Sequence, residues 1–480
     1  MKNNSALQTD FYELTMMQGY YRCCREEQVV FDMFFRSQPY GGGFSVCAGL
    51  DDLLCLLQEL RFSGDDIDFL SSTGVFTADF LSYLKGFRFR GSIYAVEEGE
   101  IVFPNEPLIR VHGSMLECQL IESLLLNIIN FQTLIATKAA RIYNATGAGT
   151  LLEFGLRRAQ GPDGAFSATR ASYIGGAGAT SNSYAGKVLG IPVKGTMAHS
   201  WIMAFESEEE AFRRFADLYP DSAILLIDTY DTLGSGIENA IKIGLEQKKK
   251  NKPLIGVRLD SGDLSYLSGE VRKRLDKAGL EDAKITVSNE LDETIIHQLL
   301  ADGAPIDAWG VGTKLVTGGN SSSLTGVYKL SAKGGTDEMQ PVIKISNNPN
   351  KTTNPGIKQV YRFSRRGSGP VADLITRDYE TPECGRPYRF YHPSIDGRFF
   401  TISDYDDCRP LLTLKMKDGK RSAEPKELSE LRQGCIGKLE RLDQSYKRII
   451  NPHIYKVSLS EEMKNLKRKL LSDYSSRKQL

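Results

Sequence analysis

The stretch Leu254-Ile255-Gly256-Val257-Arg258-Leu259-Asp260-Ser261-Gly262-Asp263-Leu264 holds the unit from which the middle of this chain is built. The apolar run 254–259 predicts a short buried strand, Asp260-Ser261-Gly262-Asp263 a loop, and 264–278 a helix. The same order recurs on either side. Strands are predicted at 151–154, 193–195, 223–228, 284–288 and 307–311, with helices at 208–218, 237–247 and 293–301 among them. Short apolar strands alternating with helices imply a parallel sheet, open or closed into a barrel. The C-terminal strand ends repeatedly carry residues capable of chemistry: Glu153 and Arg157, Thr196 and His199, Asp228, Arg258 and Asp260, Ser288 and Asn289, Gly312 and Thr313. A barrel gathers such ends at one mouth, whereas an open sheet spreads them along an edge. The expectation is therefore an irregular (β/α) barrel over residues 116–330.

The flanking segments have another rhythm. Thr9 or Asp10 is placed to cap a helix running through Leu14 and Met17 to a stop near Gly19. A strand at 29–35 precedes the loop Pro39-Tyr40-Gly41-Gly42-Gly43, whose glycines allow close approach of another backbone. Helices at 49–60 and within 65–80 lead to strands at 93–102 and 108–112, on either side of the turn Pro104-Asn105-Glu106-Pro107. From Leu116 a long helix carries Leu120, Leu124, Leu125, Ile128, Phe131 and Ile135 on one side. Beyond 330, antiparallel strands are expected at 341–346, 359–363, 398–403 and 411–417, with turns such as Asn347-Asn348-Pro349-Asn350, in a position to rejoin the N-terminal sheet. The fold class expected is α/β: the barrel, plus an α+β sandwich-like domain made by segments 1–115 and 331–480. The tail cations Lys464, Lys467, Arg468, Lys469, Arg477 and Lys478 read as a solvated helix end.

At 480 residues the chain is long enough for two or three domains. Lys plus Arg and Asp plus Glu both number 60, so no net charge draws the surface to nucleic acid or a membrane. Polar Met1-Lys2-Asn3-Asn4-Ser5 is not followed by a signal-type apolar run. The most apolar stretch, 116–140, is interrupted by Glu117, Gln119, Glu122, Asn127 and Asn130, which marks a core helix and not a membrane span. The 8 cysteines form no C-x-x-C pair and are expected to be reduced, with no zinc site. These features predict a cytoplasmic protein.

Four stretches carry candidate chemistry. Gly195-Thr196-Met197-Ala198-His199-Ser200-Trp201 sets a histidine between two hydroxyl side chains, and an imidazole nitrogen is a usable nucleophile at neutral pH. A buried structural histidine is the alternative. Leu151-Leu152-Glu153-Phe154-Gly155-Leu156-Arg157-Arg158 ends a strand in two arginines suited to phosphate or carboxylate, unless they pair with Glu153. In Arg258-Leu259-Asp260-Ser261-Gly262-Asp263 a cation faces two carboxylates, which suit ribose hydroxyls or magnesium-bound water, while Ser261 or Asp263 is also placed to cap the next helix. Trp309-Gly310-Val311-Gly312-Thr313-Lys314 offers amides and hydroxyls for a phosphate, without a P-loop. No H-E-x-x-H motif or nucleophile elbow is present.

Together, Thr9-Asp10-Phe11-Tyr12-Glu13-Leu14-Thr15-Met16, Glu153-Phe154-Gly155-Leu156-Arg157-Arg158-Ala159-Gln160-Gly161, Gly195-Thr196-Met197-Ala198-His199-Ser200, Val257-Arg258-Leu259-Asp260-Ser261-Gly262-Asp263 and Gly310-Val311-Gly312-Thr313 resemble the nicotinate phosphoribosyltransferase family over roughly the first 365 residues. The resemblance implies transfer of phosphoribosyl from phosphoribosyl pyrophosphate to nicotinate, coupled to ATP with Mg carried by substrate and no direct protein metal ligand, in a homodimer with shared sites. It implies catalytic roles for His199 (phosphorylated by ATP), Asp228 and Asp260, the two aspartates in the ribose region. Arg157, Gly312 and Thr313 would hold phosphates, Thr196 and Arg258 the nicotinate, with Ser200 beside them. Phe154 and a partner's Tyr12 would stack on the pyridine. Relatives preferring nicotinamide are expected to place an acid near the amide; Ala179-Thr180-Ser181-Asn182 has none, which favours nicotinate. The alternatives are a nicotinamide-using transferase, another phosphate-binding barrel enzyme using Lys194, or a non-catalytic phosphosugar binder.

Overall fold

The computed structural model describes residues 5–335, 338–348 and 351–477. Residues 1–4, Pro349 and Asn350 of the Asn-rich turn, Lys478 and the side chain of Arg477 lie outside them. The chain divides into two compact units, one formed by Met1–Leu134 with Ser323–Leu480, the other by Ile135–Ser322.

The second unit is a mixed α/β body around six parallel strands. Across the sheet they run Ala179–Thr180, Thr150–Glu153, Ala308–Val311, Lys284–Val287, Gly256–Leu259 and Ile224–Leu226. This order is cyclic in the sequence, since the first strand, Thr150–Glu153, pairs with the last, Ala308–Val311. The strands are buried on both faces, which is why they read as apolar runs without alternation. Leu225, Val257, Leu259, Ile285, Val287, Trp309 and Val311 are all fully buried. The intervening helices Glu208–Leu218, Ile237–Lys249, Leu264–Lys277 and Glu293–Ala301 begin and end within two residues of expectation.

Three expectations change here. The barrel is met as far as a parallel α/β sheet: no ladder among the described residues closes it. The strand expected at 193–195 is reduced to one bridge, Thr180 to Val193, because Pro192 and Gly195 bracket a segment too short to extend. Residues 161–174, for which no element was expected, form a helix with Pro162 in its first turn, where a missing N–H costs nothing.

In the first unit, Gln28–Phe35 lies between Gly326–Gly334 and Ile109–Ser114, antiparallel to both. Chain distant in sequence thus completes the N-terminal sheet, and Thr413–Lys417 adds to its far side beside Ser92–Ala95. A second sheet contains Lys358–Arg365 and Gly369–Arg377. The strand expected at 93–102 is two, Ser92–Ala95 and Ile101–Val102, and that expected at 341–346 ends at Pro341. The first helix spans Phe11–Cys23 and passes through Gly19. Nothing lies within 4 Å of where a Cβ on Gly19 would stand, so no close packing fixes a stop there. Asp10 occupies the N-cap position but makes no side-chain cap; its carboxylate accepts from Ser123 Oγ at 2.6 Å. Gly43 does meet another backbone, the carbonyl of Tyr446, where a Cβ would collide.

Arg362 is the electrostatic centre of the first unit. Its side chain, 2% exposed, forms ion pairs with Asp373 at 2.6 Å and Glu100 at 2.8 Å, and donates to Ile101 O at 2.7 Å. Burial raises Glu100, but Arg362, Lys438 and Arg409 outweigh that and hold it below the usual range. Glu106, desolvated and beside Asp373, is pushed up. Replacing Arg362 by Met leaves buried carboxylates without their shared cation. Urea unfolding of Arg362→Met is expected to show a loss of about 3–5 kcal/mol, much of it recovered in Arg362→Met/Asp373→Leu; a loss under about 1 kcal/mol would remove Arg362 from this role.

Candidate active site

The strand ends of the second unit converge through hydrogen bonds on Arg258. The strand Gly256–Leu259 ends just beyond it, and its guanidinium is largely buried, at 13% side-chain exposure. Nε donates to Ser288 Oγ at 2.9 Å, Nη1 to Thr196 Oγ1 at 2.9 Å and to Met197 O at 3.3 Å, and Nη2 to Asp260 Oδ1 at 2.9 Å. Four of the five N–H groups of an arginine are thereby engaged. Ser288 also donates to Asp260 Oδ1, so the acid, the cation and the hydroxyl hold one another in place. The guanidinium carbon stands 5.9 Å from the centroid of the Phe154 ring.

Asp228 and His199 extend the cluster. Asp228 Oδ2 accepts from the Asp260 backbone N–H at 2.9 Å and from Ser261 Oγ at 2.6 Å. Its Oδ1 is buried and makes no hydrogen bond, a polar atom prepared for a partner from outside the chain. His199 opens the short helix His199–Met203. Its Nδ1 lies 3.0 Å from Thr229 Oγ1 and its Nε2 3.9 Å from Asp260 Oδ2, with the side chain 41% exposed. An accessible imidazole steadied at one nitrogen and facing a carboxylate with the other is arranged for phosphoryl or proton exchange.

Two glycines shape the floor. A Cβ on Gly310 would fall 2.6 Å from the Phe154 ring, and one on Gly312 would fall 3.0 Å from the Phe154 carbonyl. Larger residues would displace the aromatic side chain. Thr313 begins the turn Thr313–Val316, next to the 3-10 turn Leu156–Arg158 that carries Arg157. Asn289, just past the strand Lys284–Val287, has φ of 106°, a conformation unusual for a side-chain-bearing residue and concentrated at functional sites.

The bonded cluster thus unites Thr196, His199, Asp228, Arg258 and Asp260, with Phe154 against it. Arg157 and Ser200 are exposed, and among the described residues no hydrogen bond ties either to the cluster. Tyr12 belongs to the first unit, half-exposed on Phe11–Cys23. Asp263 caps the helix Leu264–Lys277, accepting from Ser265 N and Tyr266 N at 3.1 Å, so of the pair in that loop Asp260 alone faces the cluster. Sequence reading missed Thr229, whose only signal is its place one residue past Asp228. It also missed the service of Glu153, which is buried and accepts from Thr169 Oγ1 at 2.9 Å and Thr180 Oγ1 at 2.5 Å. That acid is thereby committed to holding the strand end in shape.

Comparisons with known proteins agree along the whole chain. Residues 150–382 match the model of the nicotinate phosphoribosyltransferase (NAPRTase) family, residues 7–130 its N-terminal domain and 357–467 its C-terminal domain. The chain is 42% identical to nicotinate phosphoribosyltransferase of Bacillus subtilis over 476 residues, 98% of this chain and 96% of the relative. It is 33% identical to the Homo sapiens enzyme of that name over 98% of this chain and 97% of the relative. The crystal structure of human nicotinic acid phosphoribosyltransferase superposes with a TM-score of 0.85 at 31% identity, covering 96% of this chain and 99% of that one. With the Arg258 cluster standing where the matched catalytic region lies, the chain belongs to the nicotinate phosphoribosyltransferase family.

Proposed function

We propose that this chain joins nicotinate to the phosphoribosyl group of phosphoribosyl pyrophosphate, releasing pyrophosphate and forming nicotinate mononucleotide for NAD biosynthesis, with ATP hydrolysis coupled to turnover. The observation that carries this reading is the fixed guanidinium of Arg258 beside the face of Phe154. A flat anion fits there, its ring on the phenyl group and its carboxylate toward the cation. Nicotinamide lacks the charge that Arg258 rewards. The segment Ala179-Thr180-Ser181-Asn182 supports the same preference: Asn182 caps Ser183–Leu189, Thr180 donates to Glu153, and no acid there is available to an amide.

The chemistry asks for little acid–base work. The pyridine nitrogen is already nucleophilic, and as it attacks C1 of the ribose the C1–oxygen bond to pyrophosphate breaks, with positive charge growing on the sugar. Asp228 and Asp260 stand to stabilise that charge and bind ribose hydroxyls. Arg157, Gly312 and Thr313 are assigned to the phosphates, through the arginine charge and the amides opening Thr313–Val316. Magnesium would come with pyrophosphate and neutralise its charge. The unpartnered Asp228 Oδ1 fits a water of such an ion, and no group of three or more candidate ligands exists among the described residues. Ser200 is assigned to the substrate beside His199. Tyr12 of a partner subunit is assigned to the second face of the pyridine, in a homodimer with shared sites, and residues 116–330 to the transfer domain between 1–115 and 331–480.

An irregular barrel is part of the same proposal. The cyclic strand order supports it, with the gap falling between Val193 and Ile224–Leu226. His199 and Thr229, which follow those two segments, meet across that gap at 3.0 Å. His199 is the residue proposed to take the γ-phosphoryl group of ATP on an imidazole nitrogen, ADP leaving. The exposed Thr229-to-Asp260 setting supports this role. No helix among the described residues is long and apolar enough to cross a membrane, in keeping with the cytoplasmic location proposed.

Incubation with γ-labelled ATP is expected to leave acid-labile, base-stable phosphate on the wild type and none on His199→Ala; label persisting on the variant would move the phosphoryl group elsewhere. Arg258→Ala is expected to raise KM for nicotinate by about 10–100-fold, the worth of a lost charge-assisted bond, and KM for phosphoribosyl pyrophosphate far less. An equal rise in both would refute the carboxylate assignment.

A further inference from the structure

A cavity of about 1110 Å³ lies within the first unit, and none of the residues assigned to the transferase reaction lines it. Its walls come from Gln28–Phe35, the turn at 104–107, the strands Tyr388–Tyr391 and Phe399–Ile402, and the helix Glu461–Arg477. Seven Lys and Arg side chains line it against the single carboxylate of Asp32. That carboxylate is already taken, by Lys358 at 2.7 Å.

Lys467 is the residue that demands a partner. The sequence places it on a solvated helix end, yet it is only 7% exposed. Its ammonium donates to Asn354 Oδ1 at 2.9 Å and Pro393 O at 3.4 Å, both neutral groups. The nearby acid Asp396 is paired instead with Lys464, at 2.7 Å. Among the described residues no carboxylate stands within ion-pairing distance of Lys467. Burial, then the charge of Lys464, brings the ammonium down to about 8. A cation held out of water without a counter-ion is costly, and an anion entering the cavity would remove that cost.

The other walls point to the kind of anion. His392 Nδ1 accepts from the backbone of Ser394 at 3.1 Å and Ile395 at 3.0 Å, so Nε2 carries the ring proton and is a donor. Burial, with Arg398 and Lys464 nearby, lowers that ring below the usual imidazole range. Phe400 lies beneath Lys456 Nζ at 4.6 Å, and Phe399 is 48% exposed. Cations and N–H donors beside aromatic side chains suit a phosphate joined to a flat ring, and the volume is that of a small-molecule site.

We propose that this cavity binds a phosphate ester of a small aromatic or heteroaromatic molecule, with Lys467, Arg398 and His392 toward the phosphate and Phe400, beneath Lys456, beside the ring. The site lies beyond the transferase reading and is tested without turnover. Full-length protein is treated with pyridoxal 5′-phosphate, reduced with borohydride and mapped by mass spectrometry. The Lys467 amine adds to the aldehyde, water leaves, and hydride fixes the product as a secondary amine. Labelling of Lys467 is expected to be about tenfold or more faster than with pyridoxal, which has no phosphate, the factor one charge-assisted bond supplies. Arg398→Ala, at an exposed position and therefore expected to fold, should cut that ratio severalfold. Protection by inorganic phosphate would show that the phosphate group suffices. Protection at lower concentration by adenosine 5′-monophosphate would show that the ring adds affinity. Equal labelling by the two aldehydes, an unlabelled Lys467, a ratio unchanged in Arg398→Ala, or no protection by either phosphate would overturn the proposal.

Discussion

A guanidinium has five donors in a rigid plane, and in Arg258 four are used within the protein. That expenditure fixes the geometry at the strand ends of the second unit. Ser288, Asp260, Thr196 and Met197 come from three separate stretches of chain, and each is drawn to its place by the same cation. The result is a positive charge that does not need to reorganise when a substrate arrives, the condition under which a charge contributes most to a transition state. A flexible lysine would leave all four acceptors to find other partners. One donor remains for a ligand, too little to grip a carboxylate with both arms unless Thr196 or Asp260 turns aside.

How much of this was legible depended on whether a residue's role was local. The alternation around Leu254 to Leu264 gave the parallel sheet because each strand is buried on both faces and each connecting helix on one, so composition mirrors position. His199, Arg258, Asp228 and Asp260 stood out because they follow strands directly. Thr229 and the service of Glu153 did not, since they consist of bonds to residues 30, 16 and 27 positions away, relations no sequence window contains. Gly19 misled for a related reason: glycine ends a helix only where the helix has cause to end, and there its missing side chain simply faces open space.

The first unit shows the limit more sharply. The N-terminal strand Gln28–Phe35 finds one neighbour nearly 300 positions later in Gly326–Gly334, and the pairing could be guessed only as a return of the chain. Arg362 and Lys467 were beyond such reasoning. Charged side chains are normally solvated, so a sequence gives no warning when one is not. Their burial has opposite consequences. Arg362 is surrounded by carboxylates and closes a network on itself. Lys467 meets only an amide and a carbonyl, and the network remains open.

The same contrast bears on Asp228 and on substrate choice. Nearly every polar atom around Arg258 has a partner within the protein, which fixes the geometry but leaves few groups to bind anything. The buried, unbonded Oδ1 of Asp228 is therefore informative, because it stands inside the cluster where a ligand could supply the missing donor. It lies on the side of the cluster away from Phe154 in bonding order, through Asp260, whereas the aromatic ring borders Arg258 itself. On the function proposed, the bound ligands supply both, hydroxyls or metal-bound water at Asp228 and a flat anion beside Arg258. Nicotinate alone does not, and a phosphoribosyl donor alone does not; the two together do, which is the arrangement a transfer between them requires.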